Sequence, residues 1–299
     1  MLHVVWFLTA HAFVTVNAAA LEPNLNTSGL FKLSFQGDDD RALDLTHDIP
    51  WSPIQLAAQE PGTLQDLVDA MRAADVDRLP PNRYQLDWGN HVEKRGDSSP
   101  NKLFTFVDES IFSRPVYAKL IQLYEDHIFN PTVCREEPSM YGQRKADADI
   151  EQFRAFLLML WFETYTRCFG TPGSSGFEHV FVGEWKKHRV DGHHSWVHYY
   201  LAEKAGEINY MGYYTYVPQL TGTFRYTWKG NMKRIGGFLI GTSPAFDFSL
   251  YTVCVLANPG KKRCQFSLDG VPVKVTSFAD RCGEDDEELC LATSYPSTD

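Results

Sequence analysis

The sequence predicts an α+β fold, with a helical N-terminal lobe followed by a lobe rich in antiparallel sheet. Three observations carry that expectation. The first half holds three apolar patterns at helical spacing. From about residue 171 the texture changes to short β-branched and aromatic runs between turn signals. Helices gathered ahead of strands, rather than alternating with them, point away from a parallel α/β sheet. At 299 residues the chain can bury a substantial core as one large domain or two small ones.

Residues 1–20 read as a secretory signal peptide: Val4 to Val16 is mostly apolar, and Ala18 and Ala20 give an Ala-x-Ala arrangement for cleavage near Ala20. Residues 21–42 are rich in Asn, Gly and Asp, end in GDDDR and read as a linker. Asn26-Thr27-Ser28 is an N-glycosylation sequon there, which suits an exported chain. The patterned region spans 43–299, with the helical lobe at about 43–170 and the sheet-rich lobe at about 171–299. No later apolar run reaches the roughly 18 residues a membrane span needs, so the mature chain is expected to be soluble and free of membrane.

Leu64, Leu67, Val68 and Met71 mark one face of a first helix, and Val116, Leu120, Leu123 and Tyr124 one face of a second. A third, Ala148 to Phe169, is apolar on most sides and ends at Gly170, Pro172 and Gly173. Strands are expected at HVFVGE, INYMGYYTYV, GTFRYTW, IGGFLIGTS, FSLYTVCVLA, RCQFSL, VPVKVTSF and LCLATSYP. One helix, around His194 to Lys204, interrupts them. Six cysteines permit up to three disulfides in 15 complete pairings, of which Cys254–Cys264 and Cys282–Cys290 are the most local. The acidic run Glu284 to Glu288 reads as a solvated loop inside the second of these. No CxxC occurs, so a zinc ribbon has no support.

A net charge of −10 argues against a protein that coats nucleic acid generally, but leaves room for a local basic groove. Residues 176–234 supply one: eight Lys or Arg stand there against five Asp or Glu, with five of the ten histidines. Such asymmetry suggests an anionic ligand. The densest part is GFEHVFVGEWKKHRVDGHHSW, Gly176 to Trp196. His179 and His194, fifteen residues apart with a turn between them, could face each other across a cleft. Two imidazoles suit a reaction that removes one proton and donates another near neutral pH. RNA cleavage by its own 2′-hydroxyl is such a reaction, and it also needs a cation for the charge on phosphorus. His194 and His198 have helical metal-ligand spacing, but Ser195 stands where HExxH requires Glu.

Several ordered motifs resemble the EndoU family of uridylate-preferring endoribonucleases: GFEHVFVGE, DGHHSW, YTWKGNMKRIGGFLIGTSPAFDFSLYTV and the terminal LATSYP. The resemblance is strongest from Gly176 to Pro296 and reaches back through LFTFVDESIFSRPVY to about Leu43. It implies His179 and His194 as an acid–base pair, and Lys233, in a W-x-G-x-x-K element with Trp228 and Gly230, as the electrostatic stabiliser. It implies supporting roles for Glu178 and Glu184, which are also the candidate ligands of a suspected Mn²⁺ cofactor. Thr293 and Tyr295 are implied in uracil binding, and the basic pair Lys186 and Lys187 is a candidate for holding phosphate. Two positions depart from the family pattern: His193 replaces an apolar or aromatic residue, and Gly237 stands where many members carry serine. The expectation is a secreted endoribonuclease that cuts single-stranded RNA at uridylates, leaving a 2′,3′-cyclic phosphate and a 5′-hydroxyl. It is expected to be a monomer with no protein partner. Two alternatives are a secreted RNA- or polyanion-binding protein on the same scaffold and a metalloenzyme using His193, His194 and His198.

Overall fold

Thr63 and Asp66 exchange hydrogen bonds in a capping box that starts helix α1, Leu64–Ala74. These residues come from a computed structural model, which describes 63–93, 96–125, 152–168, 171–257, 263–282 and 288–297. The signal peptide, linker, sequon, Cys134 and most of the acidic run lie outside the described residues. Val68 and Met71 of α1 are buried as the spacing requires, whereas Leu67 stays exposed. A short hairpin follows, β1 (Tyr84–Leu86) against β2 (Phe104–Val107), and then α2 (Pro115–Glu125), which buries Val116 and Leu120.

Helix α3 ends earlier than the sequence suggests. It spans Gln152–Phe162, and the expected continuation is instead a hairpin of β3 (Thr164–Cys168) and β4 (Thr171–Ser175). Thr164, Tyr165 and Thr166 prefer extended backbone, and Pro172 and Gly173 lie within β4 rather than ending a helix. The stretch HVFVGE also departs from expectation: Glu178–Val182 forms a π-type helical turn. Only Glu184 enters a strand, β5 (Glu184–Lys186), which pairs with β6 (Arg189–Asp191).

Helix α4, Trp196–Lys204, begins two residues after His194 with Ser195 as its N-cap. Strands β7 (Ile208–Val217), β8 (Thr221–Trp228) and β9 (Asn231–Leu239) then form a meander. Together with β5 and β6 they make a five-stranded sheet of order β5-β6-β9-β8-β7, antiparallel except where β6 meets β9. The segment FSLYTVCVLA, expected as a strand, belongs to helix α5, Pro244–Ala257. Strands β10 (Arg263–Leu268), β11 (Val271–Cys282) and β12 (Glu288–Ser297) complete a three-stranded antiparallel sheet. The disulfides Cys254–Cys264 and Cys282–Cys290 tie α5 to β10 and β11 to β12.

One apolar cluster runs from Val68 of α1 to Leu291 of β12. Its centre is aromatic: Phe104, Trp196, Tyr199, Phe224 and Phe238 lie ring against ring. Glu203 of α4 is buried beside it, and its two carboxylate oxygens accept the backbone N–H groups of Leu103 (2.7 Å) and Phe104 (2.8 Å). That contact fixes α4, and with it the segment that leads into the helix.

Candidate active site

The backbone around the two histidines explains why the sequence places Gly183 and Gly192 there. Gly183 N–H donates to the Glu178 carbonyl at 2.7 Å, closing the i to i+5 loop of the π-type turn. Such turns are rare and often mark functional sites. Gly183 (φ 86°) then turns the chain into β5. Lys187 and His188 both adopt positive φ, as a two-residue type I′ hairpin turn requires. After β6 the chain doubles back on the turn. His193 N–H donates to the His179 carbonyl (2.8 Å) and His194 N–H to that of Val180 (2.6 Å). Gly192 permits this approach: its φ is 62°, and a Cβ there would lie 1.9 Å from the His179 oxygen. Backbone pairing therefore brings the two histidines together.

The side chains converge from four elements. His179 donates from Nδ1 to Glu184 Oε2 at 2.8 Å, and His194 donates from Nδ1 to the Gly237 carbonyl of β9, also at 2.8 Å. A carboxylate and a carbonyl can only accept, so both rings carry a proton on Nδ1. The ring centroids stand 6.2 Å apart. Lys233 is buried and its Nζ donates to the Gly192 carbonyl at 2.6 Å. A β-bulge sets it there: Tyr226 faces Lys233 and Phe224 faces Gly236, so Arg234 and Ile235 together oppose Arg225. Gly236 leaves space for the lysine stem, since a Cβ there would meet Lys233 Cγ at 3.2 Å and Tyr226 Cε1 at 2.9 Å. From β12, the Tyr295 ring stacks on His194 at 5.0 Å, and the buried Thr293 hydroxyl has no hydrogen-bond partner among the described residues.

The remaining histidines face elsewhere. His193 is fully buried, stacked on Trp228 at 4.6 Å and bonded through Nδ1 to the Tyr226 hydroxyl at 2.7 Å. Desolvation, then the nearby His198 and Lys233, hold its pKa well below the ordinary range, so it stays neutral. Burial likewise pushes His198 down to about 4, against a bond to the Val182 carbonyl. His193 and His198 thus belong to the packing between α4 and the sheet, and do not join His194 in a metal triad. Lys186 ends β5 half-buried and Lys187 sits exposed in the turn. Glu178 is buried in the π-type turn, its N–H donating to Ser175 Oγ.

Sequence reading passed over two participants. The Gly237 carbonyl orients His194 and has no side chain to announce it. Asp191 lies directly opposite Glu184 across the β5–β6 hairpin, which only the register reveals. His179, Glu184 and Asp191 each offer a ligand atom within 4.8 Å of the others. The two carboxylates are oxygen donors of the kind Mn²⁺ takes, whereas His179 Nδ1 already carries the proton it donates to Glu184.

Comparison with known proteins adds the family. A family model described as Endoribonuclease XendoU matches residues 63–147 and 128–296. The "Uridylate-specific endoribonuclease" of Mus musculus is 33% identical over 237 residues, covering 69% of this chain and 56% of that protein. The one of Homo sapiens is 30% identical over 284 residues, covering 83% and 68%. "Uridylate-specific endoribonuclease B" of Danio rerio is 35% identical over 240 residues, covering 69% and 82%. The chain thus spans little more than half the length of the mouse protein. A solved structure described as "The structure of XendoU: a splicing independent snoRNA processing endoribonuclease" superposes with a TM-score of 0.60 at 27% identity, over 80% of this chain and 98% of that one. With the family model matched along most of the described fold, the chain belongs to the XendoU endoribonuclease family.

Proposed function

We propose that this chain is a secreted endoribonuclease that cleaves single-stranded RNA at uridylates by transesterification, acting as a monomer. The different hydrogen-bond partners of the two histidines support a division of labour between them. His194 is oriented by the Gly237 carbonyl, which adds no full negative charge beside the ring, and it serves as the base. His179 is held by Glu184, whose charge balances an imidazolium, and it serves as the acid. His194 takes the 2′-hydroxyl proton, the oxygen attacks phosphorus, and the bond to the 5′-oxygen breaks as His179 protonates that oxygen. The Lys233 ammonium stabilises the charge that builds on the phosphoryl oxygens. The products are a 2′,3′-cyclic phosphate and a 5′-hydroxyl.

Around that centre, Thr293 and Tyr295 form the base subsite. The lone Thr293 hydroxyl offers the uracil edge a hydrogen-bonding group, and an aromatic ring suits base stacking. Lys186 and Lys187 add positive charge for neighbouring phosphates, and buried Glu178 supports the turn that carries His179. A divalent ion such as Mn²⁺ fits beside Glu184, where it would supply further positive charge near the phosphate. Two disulfides agree with an oxidising, extracellular compartment, and no helix among the described residues is long and apolar enough to cross a membrane.

The observation that carries this reading is the pair of histidines, 6.2 Å apart, one bonded to a carboxylate and the other to a carbonyl, beside a buried lysine. Short RNAs that differ only at one U, C, A or G test it, each incubated with Mn²⁺ and with EDTA. Cutting at the U-containing oligomer alone supports uridylate cleavage. Retention of every RNA uncut by a folded chain rejects it in favour of a binding protein on the same scaffold.

A further inference from the structure

We infer that Arg189 and Arg234, on the outer face of the five-stranded sheet, form a track that binds RNA phosphates beyond the cleaved linkage. The inference deepens the ribonuclease reading by naming the surface that takes the rest of the strand, and rests on it for the identity of the partner. Side-chain alternation along the strands defines the face. Trp185 packs edge-on against Trp228, centroids 5.1 Å apart, and Val190 is buried, so their neighbours Lys186 and Arg189 turn to the opposite side. Arg189 lies beside Met232 of β9, which faces Thr227 of β8, itself between the buried Tyr226 and Trp228. Hairpin and meander therefore share this outer face. The β9 bulge adds to it: Lys233 turns inward, and Arg234 and Ile235 stand exposed opposite Arg225.

Two features of this face suit a polyanion. Lys186 stands directly opposite Arg189 across the β5–β6 hairpin, and Arg225 opposes Arg234 at the bulge. Like charges facing each other across a strand pair repel, here in a chain whose net charge is −10. Arg189 and Arg234 are exposed, and neither forms an ion pair among the described residues. Arg225 is half-buried and held in place by the Gly96 carbonyl, to which it donates at 2.6 Å. The acids on this side of the hairpin, Glu184 and Asp191, sit at its far end beside His179. Phosphate oxygens relieve the repulsion, and the guanidinium fork matches their geometry. The second feature is continuity with the catalytic centre. Arg234 follows Lys233 directly, and Arg189 precedes Gly192 by three residues, roughly 10 Å of strand. A strand of RNA lying across β6 and β9 at the cleaved linkage passes both arginines. That continuity favours RNA over an anionic lipid surface, which would meet the face without entering the catalytic centre.

Fluorescence anisotropy of the full chain with a labelled RNA dodecamer tests the track, the strand carrying 2′-deoxyuridine at its one uridylate so that it stays uncut. Affinity is read against salt concentration. Each phosphate held on a single strand contributes about 0.7 to the slope of log affinity against log salt, so Arg189→Gln and Arg234→Gln should each reduce the slope by about that. The weakening should be the same for a strand without uridine, since phosphate contacts carry no sequence information. Arg189→Lys and Arg234→Lys keep the charge and should keep the slope. Both side chains are exposed, so melting curves of all four variants should match wild type. No binding of the dodecamer by wild type, a wild-type slope in the Arg189→Gln/Arg234→Gln double variant, or tighter binding to phosphatidylglycerol vesicles than to RNA overturns the track. Cleavage of the all-ribo dodecamer in parallel separates the two claims. Cutting with an unchanged slope in the double variant removes the track and leaves the ribonuclease, while arginine-dependent binding by a chain that cuts nothing does the reverse.

Discussion

Gly192 is where the residue-level account can be tested most sharply. Its backbone conformation is left-handed and its missing Cβ lets the His179 carbonyl pass. Strain of that kind costs on the order of 1–3 kcal/mol before any clash, so Gly192→Ala should destabilise by at least that and separate the histidines. A lower denaturant midpoint with unchanged slope would show it. Gly236→Ala is a finer probe. The added methyl presses on the Lys233 stem, so turnover should fall while substrate binding changes little, which a comparison of kcat with KM resolves. Lys233→Ala removes the charge itself and is expected to cost roughly 10²–10³ in kcat, the magnitude typical of one stabilising donor. His179→Ala and His194→Ala should each cost roughly 10²–10⁴, read in single-turnover cleavage of one uridylate substrate.

At the scale of elements, Glu203 makes the clearest pH prediction. Burial raises its pKa from 4.5 to about 7, although the Phe104 and Leu103 amides and Tyr199 pull it down. The folded chain therefore holds a proton that the unfolded chain has released between those values. Stability from this group is complete below about pH 4.5 and is lost as pH rises to about 7. The loss is about 3 kcal/mol at most, and Glu203→Gln should flatten the slope of stability against pH over that window. The same scale shows what sequence could reveal. Strands β7 to β12 and α1 were legible because each alternates or repeats against a defined face. Helix α5 was not, since PAFDFSLYTVCVLA is apolar on every side and its β-branched residues imitate a buried strand. The π-type turn failed for the same reason: Glu178 to Val182 is buried throughout, so no periodicity separates helix from strand. The expected third helix ran on into β3 because no Gly or Pro stands between Phe162 and Cys168 to mark its end.

For the molecule as a whole, the site depends on two sheets staying in register. Strand β12 carries Thr293 and Tyr295, and β9 carries Lys233 and Gly237. Cys282–Cys290 pins β12 to β11, and Cys254–Cys264 pins α5 to β10. Closed loops of such length stabilise by roughly 2–3 kcal/mol each through the unfolded chain. Replacing Cys282 and Cys290 by serine should lower stability by about that and loosen Tyr295 from His194, weakening uridylate preference before it abolishes cleavage. Motif order in the sequence pointed to His179, His194, Lys233, Thr293 and Tyr295. It could not show that a β9 carbonyl orients His194 or that Asp191 faces Glu184, because both depend on pairings between distant or folded-back strands.

The central claim is that the RNA's own 2′-hydroxyl is the nucleophile, activated by His194, while His179 protonates the departing 5′-oxygen. One substrate tests it most directly: a single-stranded RNA with one cleavable uridylate, compared with the same strand carrying 2′-deoxyuridine there. The account predicts that the ribo strand is cut to a 2′,3′-cyclic phosphate and a 5′-hydroxyl, identified by mass, and that the deoxy strand stays intact at that position. Cutting of the deoxy strand at a comparable rate would contradict it, and would require water or another nucleophile at this site.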